Sequence, residues 1–333
     1  MSLDADAIVD RRRLRRKVTF WRVAAFLVTG AALLLLLAWL AGVPPLGKGA
    51  AHIARVEING VILNDRKRLE MLHRLAESDA VKAVILDINS PGGSTVGGES
   101  LYQALREIAE KKPVVAHIGT LGASAGYMAA IAADHVIARH TSLTGSIGVY
   151  IQYGNFKGLL DTLGVQFDVV RSGPLKAEPN FFSETPQAVR DNLQAVINDS
   201  YDWFVARVAE RRNMTDAEVR KVATGGIYSG ESARSLGLVD ALGGEKQAVS
   251  WLEKERGLPE KLPVITWAAR SEIDGLPFSA RIASAFGSGL AKGLGTSLND
   301  AATLLPDGVT LDGLVSVWHA RQAAEPTDGP GGQ

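Results

Sequence analysis

One serine stands in a setting suited to nucleophilic chemistry. Ser124 lies in Gly122-Ala123-Ser124-Ala125-Gly126-Tyr127, ahead of an Ala-rich run from Met128 to Ala133. Ala has the highest helix propensity, so the run predicts a helix with Ser124 near its start. There, free backbone N–H groups and the positive dipole end favour an attacking oxygen and the oxyanion it generates. A serine that merely caps the helix is the plainer use of the same residue.

A serine nucleophile needs a base. Gly122-x-Ser124-x-Gly126 matches the G-x-S-x-G pattern, but a Ser-acid-His triad requires an acid and then a late histidine. His135 and His140 follow too soon, and His319 lies in an irregular tail. A neutral lysine can do the same work if burial away from carboxylates lowers its pKa from about 10.4. Lys176 is the candidate, in the Gly/Pro loop Arg171-Ser172-Gly173-Pro174-Leu175-Lys176-Ala177. Without a partner it would be an ordinary solvated lysine. The oxyanion needs two converging N–H donors. Ala125, just after the nucleophile, offers one. The turn Ser90-Pro91-Gly92-Gly93 offers the other, since glycine lets the backbone aim its N–H and lets substrate approach.

Composition excludes several classes. Among 333 residues, 36 basic and 36 acidic side chains balance, so nothing overall points to nucleic acid. With no cysteine, disulfides, thiolate metal sites and a Cys nucleophile are excluded. The six histidines, His52, His73, His117, His135, His140 and His319, form no close ligand pair, and no structural metal is expected.

The elements that must position these groups follow along the chain. Residues 1–22 are polar with a basic run from Arg11 to Lys17. Residues 23–43 carry no charge, and such a helix would be roughly 31 Å long, enough to span a bilayer core. Trp21 and Trp39 sit near its ends. The basic flank predicts a cytoplasmic N-terminus with the rest of the chain on the far side. A cleaved signal peptide is disfavoured because Ala41 follows bulky Trp39 by two residues. Residues 44–51 read as a linker.

Strands and helices then alternate. Strands are expected at Ile53–Val61, Val81–Ile88, Pro113–Ile118, His135–Ala138, Ser146–Gln152 and Val165–Arg171. Helices are expected at Arg66–Glu77, Gly98–Lys111, Asn155–Leu163, Pro186–Arg212, Asp216–Ala223, Glu231–Leu236 and Glu245–Arg256. The alternation predicts an α/β fold with mostly parallel strands over residues 52–257. Residues 258–333 form a less regular extension. In it Pro263–Trp267 reads as an edge strand, 278–305 as an amphipathic helix or packing arm, and the end as disordered.

Together these motifs resemble the signal peptide peptidase A family of membrane serine proteases. The resemblance rests on Asn89-Ser90-Pro91-Gly92-Gly93, Ala123-Ser124-Ala125-Gly126-Tyr127, Thr144-Gly145-Ser146-Ile147-Gly148-Val149 and Ser172-Gly173-Pro174-Leu175-Lys176. Tyr228-Ser229-Gly230 with Ala233, and Leu236-Gly237-Leu238-Val239-Asp240, extend it, so that it covers residues 53–253. It implies a ClpP/crotonase-like spiral of repeated ββα units. It implies Ser124 as nucleophile, Lys176 as general base, Ser146 orienting the lysine, and Gly93 with Ala125 as oxyanion hole. Ala125 departs from the family's usual glycine and implies a tighter S1 wall.

The resemblance further implies no cofactor, hydrophobic peptides such as cleaved signal peptides as substrates, and a place at the membrane. With the basic run before Val23, the expected site is the inner (plasma) membrane with the catalytic domain periplasmic, or extracytoplasmic in a single-membrane cell. It also implies a ring-like homo-oligomer, tetramer to octamer, in which Ser124 of one copy meets Lys176 of the next. Phe181-Phe182, in a Pro-bounded stretch, fits a subunit contact or a cover for this chain's own core. Three competing functions are weighed: a crotonase-like acyl-CoA enzyme, which needs neither Ser124 nor Lys176; a non-catalytic membrane scaffold, against which the complete dyad argues; and a related protease acting on membrane-associated proteins.

Overall fold

The computed structural model describes residues 17–30, 32–33, 49–269 and 315–317. The chain divides into two compact units, Met1–Ala50 and Ala51–Gln333. In the first, residues 17–30 are helical, with apolar side chains such as Phe26 exposed. Among the described residues no helix is long and apolar enough to cross a membrane. Most of the expected span, together with residues 278–305 and the C-terminal end, lies outside the described residues.

The second unit is built on a mostly parallel sheet. Its first strands are β1 (His52–Ile62), β2 (Val81–Ser94) and β3 (Val114–Ala123). Each is buried on both faces over its first half: Ala54, Val84 and Ala116 face one core, and Ile53, Ile85 and Val115 the other. Helices α1 (Arg66–Glu77) and α2 (Thr95–Lys111) cross between them. Asp65 caps α1 by accepting from the amides of Lys67 and Arg68, and Ser94 caps α2 by accepting from Gly97. Sheet order runs β6-β5-β3-β2-β1-β8. Here β5 is Leu143–Gly145, β6 Ile227–Ser229 and β8 Val264–Trp267. The neighbours of β3 change along its length. Its first half pairs with β4 (His135–Ala138) and its second with β5, so the sheet forks just before Ser124.

One face carries the larger core, where Leu72, Leu75, Leu105, Ile108, Tyr127, Phe204 and Val208 are fully buried. Those residues come from α1, α2, α3 (Ala125–Ile131) and α5 (Gln187–Arg212), the last following α4 (Lys157–Leu163). On the other face, α8 (Glu245–Glu255) lays Ala248 and Leu252 against Ile53, Ile85, Val115 and Ile137. Short α6 (Asp216–Val222), α7 (Gly230–Ser235) and β7 (Ala241–Leu242) complete the run before α8. The edge strand expected at Pro263–Trp267 is β8, parallel to β1. Val315–Val317 forms β9, antiparallel to Gly92–Ser94 of β2.

Three expectations need correction. Asn89–Gly93 is not a tight turn that ends a strand. β2 continues through it to Ser94, with register shifts against both neighbours that absorb Pro91. The strand expected at Ser146–Gln152 instead occupies Leu143–Gly145, because Gly145 (φ 91°) and Ser146 (φ 50°) turn the chain out of extended geometry. Residues 165–171 form no strand. No strand of the described chain pairs with this segment, and Val165, Phe167, Val169 and Val170 are exposed.

Candidate active site

Ser124 closes β3 and precedes α3, so a sheet edge and a helix start fix its position. Its side chain makes no helix cap, and its backbone sits at φ 56°, ψ −119°. An L-residue in that region costs on the order of 1–3 kcal/mol and persists only where the surroundings impose it. The plain capping role is thereby set aside. The surroundings that impose the conformation are identifiable. The Ser124 amide donates to the Gly145 carbonyl at 2.8 Å, and the Ser124 carbonyl accepts from Met128 at 2.9 Å, starting α3. The helix begins at Ala125, three residues before the Ala-rich run alone suggested.

Close packing behind the serine depends on glycine. A Cβ at Gly126 would lie 2.9 Å from the Ser90 carbonyl oxygen, and one at Gly98 would lie 2.9 Å from the Ala125 Cβ. Tyr127 is fully buried, and its hydroxyl donates to the Leu238 carbonyl at 2.8 Å. Burial pushes that phenol well above its ordinary range, so it stays a neutral donor.

The stretch carrying Gly93 is shaped by Ser90, whose role the motif alone did not reveal. The Ser90 hydroxyl donates to the Gly60 carbonyl at 2.7 Å and accepts from the Gly92 amide at 3.1 Å. Gly93 is pressed so close to β1 that a Cβ would lie 1.8 Å from the Ile62 carbonyl oxygen. No other residue fits there.

Ser124 and Ser146 line one cavity of about 600 Å³. Ser146 is held by its amide, which donates to Gly226 at 2.7 Å. The cavity floor runs through Ile147–Tyr150. Its far wall is α5, through Gln194, Ile197, Asn198 and Tyr201, with Ala223–Gly225 closing one end. This α5 wall was not visible in the sequence, because a helix surface approaching from 70 residues away leaves no local motif. The same neighbourhood explains Tyr228-Ser229-Gly230. Tyr228 packs over Gly145, and a Cβ at Gly230 would lie 1.9 Å from the Arg139 carbonyl oxygen.

Lys176 is not in this cavity. It lies exposed in the loop after α4, and no hydrogen bond or ion pair reaches its amine from the described residues. The structure of one chain thus brings Ser124, Ala125 and Ser146 together and leaves Lys176 apart. Among the described residues, Phe181 and Phe182 belong to neither core cluster. They pack with Phe156 and Phe167 in a cluster on the same arm, and Phe181 remains half exposed.

No described histidine lines the cavity. His117 pairs with Asp87 at 3.0 Å and His140 with Glu231 at 2.9 Å. His135 stacks on Trp251, and His52 accepts from the Trp267 indole. His73, Glu77 and Glu107 bring three ligand-type atoms within 4.8 Å of one another. All three are exposed, and the Lys111 ammonium already meets Glu77 at 2.5 Å and Glu107 at 3.6 Å. His319 lies outside the described residues.

A mostly parallel α/β sheet presenting a buried serine at a strand-to-helix elbow defines a class of serine hydrolase. The Clp protease family model matches residues 62–144 within it. The model for peptidase family S49 matches residues 106–259, a span holding Ser124, Ser146 and Lys176. A protease-named protein of Synechocystis is 38% identical over 216 residues, covering 64% of this chain and 78% of that protein. A signal peptide peptidase-named protein of Enterococcus faecium is 32% identical over 231 residues, covering 65% of this chain and 67% of its own. Protease 4 of Haemophilus influenzae is 33% identical over 212 residues, 61% of this chain but only 34% of that protein. The chain belongs to peptidase family S49, the signal peptide peptidase A family, and is a serine-type endopeptidase.

Proposed function

We propose that this endopeptidase is membrane-anchored and works through a Ser124–Lys176 dyad on hydrophobic peptides such as spent signal peptides. The reading rests above all on Ser124. It is buried, held at positive φ by its neighbours, and shares its cavity with Ser146. In the mechanism, the neutral Lys176 amine takes the Ser124 proton as Oγ attacks the scissile carbonyl. Ser146 accepts or donates at the lysine and fixes its direction. The amides of Gly93 and Ala125 stabilise the oxyanion, a contribution of roughly 3–4 kcal/mol per donor in comparable sites. Lys176 then returns the proton to the leaving amine, and water repeats the sequence on the acyl-enzyme. No metal or cofactor takes part.

Because Lys176 stands apart from Ser124 within one chain, the site is completed between copies of a closed homo-oligomer, tetramer to octamer. The exposed Phe156–Phe182 cluster supplies apolar contact for that assembly. A ClpP/crotonase-like spiral is the topology that fits the forked β3 and the Clp protease match. The uncharged run 23–43 anchors the chain in the inner membrane, with the catalytic unit in the periplasm. Ala123, Ala125 and Met128 around the nucleophile favour a small apolar P1 residue.

The test is an activity profile of the detergent-solubilised full chain on apolar peptides with Ala at P1, on peptides with charged P1, and on acyl-CoA esters. Ser124→Ala protein is run alongside. Ser124-dependent cleavage after Ala supports the reading. Acyl-CoA turnover that survives Ser124→Ala would sink it in favour of crotonase chemistry.

A further inference from the structure

The loop that carries Lys176 is mostly exposed, yet it is closed by an ion pair whose carboxylate is buried. Arg171 donates through Nη1 to Glu178 Oε1, bridging the residues that flank Ser172–Ala177. The Glu178 side chain is 2% exposed and that of Arg171 22%. Asn180 adds two donors to the same carboxylate, its amide to Oε2 at 3.2 Å and its side-chain nitrogen to Oε1 at 2.9 Å. Asn180 in turn accepts through Oδ1 from the amides of Phe182 and Ser183, at 3.0 and 2.8 Å. The Phe156 amide donates to the Phe181 carbonyl at 2.7 Å, tying the loop to the start of α4. Between the paired residues, the Lys176 amide donates to Gly173 at 3.2 Å, and Ala177 is held at φ 62°.

A buried ion pair is a weak source of stability, because desolvation offsets most of its attraction. What it does supply is a single geometry. Here that geometry has an electrostatic side as well. Glu178 lies two residues from Lys176 in the chain, so the loop of the base carries a carboxylate of its own. Arg171 and Asn180 together engage its oxygens. Of the other charges on this arm, Lys157 pairs with Asp161 at 2.5 Å, and Asp168 and Glu184 make up the rest.

We infer that Arg171 and Glu178 are positioning residues for the general base: their pair fixes the Lys176 loop and neutralises the carboxylate two residues along the chain from the lysine. The inference rests on Lys176 being the base. It predicts opposite displacements of the rising limb of kcat/KM with pH. In Arg171→Met the freed carboxylate holds the proton on Lys176, and the limb moves up by about half a pH unit or more. In Glu178→Gln the freed guanidinium repels it, and the limb moves down. In the Arg171→Met/Glu178→Gln double variant the limb returns toward its original position while activity stays low, since the loop is no longer held. Arg171→Lys restores part of the rate.

The experiment measures kcat/KM against pH for these four variants and for Lys176→Ala, in full chain of unchanged oligomeric state. Limb shifts of opposite sign in the two single variants support the inference. An unmoved limb in both, whether or not the rate falls, overturns it, because loss of fold alone lowers amplitude without moving the midpoint. Activity that persists in Lys176→Ala removes the dyad reading itself, and so separates the two failures.

Discussion

The amide of Ser124 donates to the carbonyl of Gly145 at 2.8 Å, so one backbone hydrogen bond ties Ser124 to the residue just before Ser146. Both serines sit at positive φ, at 56° and 50°, each just past the end of one of the paired strands β3 and β5. Ser124 is held by Gly145 at the end of β5, and Ser146 by its own amide, which donates to Gly226 at 2.7 Å. This relationship places two hydroxyls in one cavity that no described histidine lines, and it is why a lysine is the base to seek.

Ser124→Ala and Lys176→Ala should each lower kcat/KM for an apolar peptide by about 10,000-fold or more. Replacing His135 or His140 should leave it essentially unchanged, since neither lines the cavity. Activity should rise from neutral to alkaline pH as protons leave the base. Loss of activity in folded His135→Ala protein would restore the triad reading.

Gly126→Ala should damage catalysis. The added methyl would stand 2.9 Å from the Ser90 carbonyl, on a strand that cannot retreat because Gly93 is already pressed on Ile62. Overpacking of this kind costs about 1–3 kcal/mol. Here the strain falls on the stretch that carries Gly93, so kcat should fall at least about tenfold while KM changes little. Steady-state kinetics with a thermal melt check this. A kcat equal to the parent's contradicts it.

Asp240 should confer acid-sensitive stability. Burial alone would raise its pKa. The Arg212 guanidinium, donating at 2.7 and 3.0 Å, and the Val136 amide at 2.7 Å outweigh burial and hold it below the ordinary carboxylate value. A carboxyl lowered on folding stabilises above its unfolded value, near 3.9, and that contribution is lost as pH falls through the folded value. Asp240→Asn should therefore cost about 1–3 kcal/mol at pH 7, with the difference from the parent shrinking below about pH 4. Urea unfolding at pH 7, 5 and 3 measures it. A difference that stays constant with pH rules the linkage out.

Much of this was legible in the sequence, for physical reasons that differ by element. Arg66–Glu77 carries its own cap and apolar stripe, and the structure places the helix on the expected residues. The strand at His135–Ala138 is likewise where its short apolar run placed it. Errors arose where backbone geometry overrode composition. The glycines of Asn89–Gly93 read as a turn, but their use is close strand packing against Ile62. Val165–Arg171 has strand composition and no partner strand, so propensity had nothing to pair with. The α5 wall of the cavity and the Arg171–Glu178 closure depend on contacts that no local pattern encodes.

The anchoring proposal has its own check. Protease added to intact spheroplasts should digest the unit that begins at Ala51, because the basic run before residue 23 stays cytoplasmic. Protection until the membrane is lysed would reverse the orientation.

The shared site is tested most directly by mixing two inactive chains. Ser124→Ala and Lys176→Ala proteins are co-expressed and the mixed oligomer is purified through different tags. If Ser124 of one copy works with Lys176 of the next in a closed ring, random mixing leaves roughly a quarter of the sites with both wild-type groups, and about a quarter of the parent activity returns. If both groups must come from one chain, every site is defective. Activity that stays at zero in a verified mixed oligomer would contradict the account.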